Sequence, residues 1–87
     1  MTVHLMSSAG NYALVKREGR KYPALLIAGD TLSILKHALD EAGESVRSGD
    51  AESLADALGE ALELVGSMVD SYEAMMSQCG VSLPYAR

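Results

Sequence analysis

The sequence has one cysteine, Cys79, no phenylalanine and no tryptophan, and only seven basic residues against twelve acidic ones. A single thiol excludes an internal disulfide. With only His4 and His37 beside it, it also excludes the structural zinc sites that cysteine and histidine build together. Such sparse cysteine usage fits a reducing, cytoplasmic setting. Four tyrosines are the only aromatics, so the core must be made from aliphatic side chains and methionine. No apolar run approaches the ~20 residues of a membrane span, and Met1-Thr2-Val3-His4 lacks the basic start and long apolar stretch of a secretory leader. Neither insertion nor secretion is expected. The shortage of lysine and arginine leaves a net charge of -5, which argues against nucleic acid as a partner, because phosphate binding depends on neutralising cations.

What is present is enough for one small globular domain over residues 1–87. Hydrophobic residues make up 48% of the chain, which places it among folding sequences rather than disordered ones. A chain of this length buries only ~60% of its unfolded surface and gains from a partner. Charge is unevenly spread along it. Residues 1–29 carry Lys16, Arg17, Arg20 and Lys21 against Glu18, a net +3; residues 30–87 carry Lys36, Arg47 and Arg87 against eleven acids, a net -8.

The first third predicts three strands. Val3 to Ser7, Tyr12 to Arg17 and Arg20 to Ala28 are β-compatible runs separated by Ser8-Ala9-Gly10-Asn11 and by Glu18-Gly19. Pro23, which cannot donate to a ladder, marks the third run as an edge or a bulge. At Asp30, read as a helix N-cap, the period changes: Leu32, Leu35, Leu39, Ala42 and Val46 follow at spacings of three and four. Ser48-Gly49 ends that helix and Asp50 caps a longer one, in which Ala51, Leu54, Leu58, Ala61, Val65, Met68, Tyr72, Met75 and Cys79 keep the same spacing. The prediction is an α+β fold of order βββαα: a meander over 1–29, an antiparallel two-helix hairpin from helices over 30–48 and 50–79, and a tail over 80–87. Leu58, Leu62 and Val65 with Leu35 and Leu39 are expected to form the central core, Leu58→Ala costing ~2 to 4 kcal/mol.

Nothing in the sequence nominates an enzyme or a cofactor. Phosphate-binding glycine loops and nucleophile-elbow patterns are absent, no metal-ligand spacing occurs, and no residue is assigned a catalytic role. Three surfaces remain. Asp56, Glu60, Glu63 and Asp70 form an acidic helix face suited to a basic protein surface. Tyr72, Met75 and Met76 lie where the second helix outruns the first and need cover from the sheet, the C-terminal tail or another chain; the expectation is a partner surface or a homodimer through that helix. Lys16, Arg17, Arg20 and Lys21 flank one turn and offer an alternative, a phosphate or nucleotide site. Gly59 and Gly66 inside the second helix predict close approach of another backbone, the sheet first of all.

The string Arg17-Glu18-Gly19-Arg20-Lys21-Tyr22-Pro23, the step Gly29-Asp30-Thr31-Leu32 and the ending Gly80-Val81-Ser82-Leu83-Pro84-Tyr85 resemble a family of small bacterial proteins with no assigned function. Residues Tyr22 to Ala42 are also similar to HicB-type antitoxins, in which a short meander leads through a Gly-Asp-Thr-Leu step into a helix; the long second helix and the missing DNA-binding segment depart from that family. Both resemblances imply a binding protein. The functional expectation is an immunity or antitoxin protein that occludes the active site of a toxin enzyme, with phosphate or nucleotide sensing by the basic hairpin as the alternative.

Overall fold

The computed structural model describes residues 2–86. Three strands, β1 (Val3–Ala9), β2 (Tyr12–Arg17) and β3 (Ala24–Ile27), are followed by two helices, α1 (Gly29–Ser48) and α2 (Ala51–Gln78). The sheet is antiparallel in the order β1-β2-β3. This is the expected α+β arrangement. Chain contacts divide it into two compact units, residues 1–28 with 68–87 and residues 29–67, with α2 contributing to both.

In the first unit, Ala9 pairs with Tyr12, so the β1–β2 loop is only Gly10-Asn11. Gly10 has φ of 59°, a conformation glycine adopts without strain and one that suits the twist of a two-residue hairpin. The register shifts between Leu5 and Ser7, so Met6 is the extra residue of a bulge. β3 is shorter than the sequence suggests: it starts after Pro23, and residues 20–23 are irregular. A proline has no N–H to give a ladder, so pairing begins one residue later.

Leu14, Met75 and Met76 are the largest fully buried side chains, and all three belong to this unit together with the half-buried Val81 and Leu83 of the tail. Tyr72, half-buried, donates its hydroxyl to the Pro23 carbonyl at 2.8 Å. Gly80 closes α2: its N–H reaches the Ser77 carbonyl, and Val81 N–H reaches that of Met76, the paired bonds of a Schellman cap. Cys79, expected in the core seam, lies beyond the helix and is exposed. Helical spacing no longer governs it there.

In the second unit, Asp30 stands in the first turn of α1, not at its cap, and its carboxylate accepts from the Thr31 N–H. Asp50 does cap α2, accepting from Ser53 N–H at 3.1 Å and from the Ser53 hydroxyl at 2.8 Å. Between them Gly49, with φ of 75°, ends α1 through bonds from Gly49 N–H to Val46 and from Asp50 N–H to Ser45. The buried residues of α1 are Thr31, Ala38, Ala42 and Ser45, and those of this stretch of α2 are Ala57 and Ala61.

The expected core is therefore overturned. Leu58, Leu62, Val65 and Leu39 are exposed, Leu62 to 72%, and Leu35 is half-buried. Ala42 and Ala61 of the expected stripes are buried, but the buried face of each helix is turned toward Ala38 and Ala57, so small side chains fill it and the larger ones sit on its flank. Space beside Gly59 and Gly66 is open, with nothing within 4 Å of where a Cβ would stand. The close backbone approach expected at these glycines is absent among the described residues.

Candidate functional site

The seam residues of the helical unit have a regular sequence context. An acid precedes a small buried residue at Glu41-Ala42, Glu44-Ser45, Asp56-Ala57 and Glu60-Ala61. A helix turns ~100° per residue, so each of these acids lies on the same rotational side of its seam. In two helices running in opposite directions, equal rotation brings both flanks to one side of the pair. That side holds a cleft of about 400 Å³ lined by Glu41, Glu44, Asp50, Asp56 and Glu60, with Ser45, Ser48 and Ser53 among them. The lining descends α1 toward Ser48 and leaves along α2 from Asp50, as an antiparallel pair requires.

Of the expected acidic set, the structure brings Asp56 and Glu60 into this cleft. Glu63 and Asp70 are exposed on α2 outside its lining. The sequence reading missed Glu41, Glu44 and Asp50, because it took the acidic face from the second helix alone. The signal was available in the acid-before-small pairs. Three of these carboxylates have local partners: His37 Nε2 is 3.0 Å from Glu41, Arg47 is 2.7 Å from Glu44, and Asp50 holds its cap. The Ser53 N–H and hydroxyl, followed by the Glu52 N–H, hold the Asp50 carboxyl below its usual range. Among the described residues no group of three or more His, Cys, Asp or Glu could hold a metal ion.

The remaining expected partner residues fall in the first unit. Met75 and Met76 are buried and unavailable on the surface of the folded chain. They find cover within the sheet-containing unit rather than outrunning it. Tyr72 is half-buried, and burial pushes its phenol above the usual value.

Of the basic residues, Arg17, Arg20 and Lys21 line a second cleft of about 520 Å³ with Tyr22 and Ala24. The Lys21 ammonium sits 5.3 Å from the Tyr22 ring centre. Lys16 does not line it, since successive strand residues face opposite ways. The irregular stretch before β3 places Arg20, Lys21 and Tyr22 beside Arg17 at the end of β2.

An α+β chain of three strands and two helices, with an acidic cleft and a basic one, is the class that these features define. The chain belongs to the family of unknown function DUF6959, which it matches over residues 1–85. No similarity to HicB-type antitoxins accompanies that match. No curated protein and no solved structure matches the chain. Among the described residues no helix is long and apolar enough to cross a membrane.

Proposed function

We propose that the protein is a small binding protein, not an enzyme, which presents the carboxylate side of its helical pair to a basic surface of another protein. The observation that carries this reading is the cleft in which Glu41, Glu44, Asp50, Asp56 and Glu60 converge from two helices. Carboxylates so arranged on rigid elements repel one another in the free chain and gain most from a cationic partner. In its sharper form, the protein is an immunity or antitoxin protein that covers the substrate cleft of a toxin enzyme. A substrate cleft that binds an anionic substrate is basic, and the carboxylate side of the helical pair suits such a cleft.

The test is capture of a partner by tagged protein from its native cell, followed by reconstitution of the pair. A one-to-one complex is expected that weakens with salt and is lost in the Glu41→Lys, Asp56→Lys, Glu60→Lys triple variant. It should survive replacement of His4, His37 and Cys79. Inhibition of the captured protein's enzymatic activity would bear on the antitoxin form. A complex indifferent to the triple reversal would refute the acidic-face reading.

One observation favours a second reading. Arg17, Arg20 and Lys21 share a cleft with Tyr22, a set able to hold a phosphate with an aromatic wall for a base. Calorimetry with inorganic phosphate and with nucleotides, on the native chain and on Arg20→Glu, separates the two. Saturable binding lost in Arg20→Glu would favour this second reading.

A further inference from the structure

The helical pair has another side, and it is made of carbon. Large aliphatics follow most of the seam positions: Leu32 after Thr31, Leu39 after Ala38 and Val46 after Ser45 on α1, with Gly43 after Ala42, then Leu58 after Ala57, Leu62 after Ala61 and Val65 after the half-buried Leu64 on α2. All six are exposed, from 41% at Leu58 to 72% at Leu62. By the rotation that gathers the preceding acids on one side, these following residues gather on the opposite one. No charged residue belongs to this aliphatic set.

We propose that this aliphatic side is the seat of a second copy of the chain, related by a two-fold axis, so that two helical pairs close into a four-helix bundle. Area is the first argument. From their exposures, the six side chains offer about 600 Å² of accessible surface, so a symmetric contact buries about 1,200 Å² before flanking atoms are counted, where stable interfaces begin. A single patch of that size is at the upper end of what monomers leave uncovered.

Symmetry is the second argument. Residues equally far from the Gly49-Asp50 connection stand nearly level on the two helices, which places Leu39 and Leu62 together at the middle of the patch. Val46 and Leu58 lie on the side of the connection, and Leu32 and Val65 on the other. Each end thus has one leucine and one valine, and a half-turn about the centre lays one end on the other. An isologous contact requires such self-complementarity. Charge is the third. Two chains of net charge -5 repel, and this face is the side of the pair on which they can meet with the acidic clefts turned outward. The contact leaves those clefts open, so it stands or falls independently of the function proposed above.

Sedimentation equilibrium of the full chain tests this. A mass twice 9.2 kDa is expected at tens of micromolar, falling to 9.2 kDa in Leu62→Glu with helical circular dichroism unchanged, since Leu62 lies outside the core. Leu5→Glu, at a residue 69% exposed on β1, is expected to keep the doubled mass. Should Leu62→Glu lose its helical signal, Leu39→Gln replaces it with the same expectation. A native chain that stays at 9.2 kDa up to millimolar concentration would overturn the proposal, as would a folded Leu62→Glu dimer or separation by Leu5→Glu alone.

Discussion

Gly59 sits inside α2, where a Cβ would meet nothing. A helical glycine costs ~1 kcal/mol relative to alanine, mostly through the freedom that it retains in the unfolded chain. Gly59→Ala is therefore expected to raise stability by about 0.5 to 1 kcal/mol, read from urea denaturation. Asp50 acts through its charge as well as its geometry. Because the folded chain holds its carboxyl below the usual 3.8, the stability it adds is present above that value and is lost as pH falls through the folded value. Asp50→Asn keeps a capping side chain but no titrating one, so its melting temperature should depend less on pH in that window. Tyr72 has the opposite sign. Its phenol is raised above 10 by burial, so its contribution is complete below pH 10 and is lost as pH climbs through the folded value. Tyr72→Phe removes the bond to the Pro23 carbonyl and is expected to cost about 1 kcal/mol at neutral pH while flattening the alkaline decline.

At the scale of elements, the turns and the cap of α2 were legible because they depend on local chemistry, whereas Asp30 stands one residue inside α1. Gly10, Gly49, Gly80 and Asp50 stand where glycine's positive φ and a carboxylate's reach are useful. Which side of each helix would be buried was not legible. Leucine-rich and alanine-rich stripes lie ~100° apart on both helices, and hydrophobicity favours the larger residues. Ala38 and Ala57 are buried beside Ala42 and Ala61, while the leucines of the expected stripes stay on the flank. Met75 and Met76 followed the same logic in reverse: counting helix lengths left them uncovered, whereas the sheet-containing unit buries them. Alanine substitutions check this placement. Met76→Ala, which empties a fully buried position, is expected to cost about 2 to 5 kcal/mol. Leu58→Ala, at a residue already 41% exposed, is expected to cost about 1 kcal/mol in the monomeric chain. A Leu58 cost equal to that of Met76 would restore the leucine seam.

For the whole molecule, charge was the most informative property of the sequence, and its arrangement the least. The +3 and -8 portions could be counted, but the convergence of Glu41 and Glu44 with Asp56 and Glu60 depends on two helices being antiparallel and rotated alike. That arrangement carries a cost. Local partners relieve Glu41, Glu44 and Asp50, while Asp56 and Glu60 add to a field that the few cations of residues 30–87 do not balance. Glu60→Lys places a cation in that field, and an exposed position accepts it without strain. The melting temperature is expected to rise by about 2 to 4 °C at low ionic strength, with the gain shrinking as added salt screens the cleft. If the cleft meets a basic partner, the variant that melts later also binds that partner more weakly, and chiefly through slower association. Calorimetric melting of the two chains across a salt series gives the first half of this expectation. Association rates with the captured partner give the second, and a Glu60→Lys chain that binds as fast as the native one would remove the cleft from the interface.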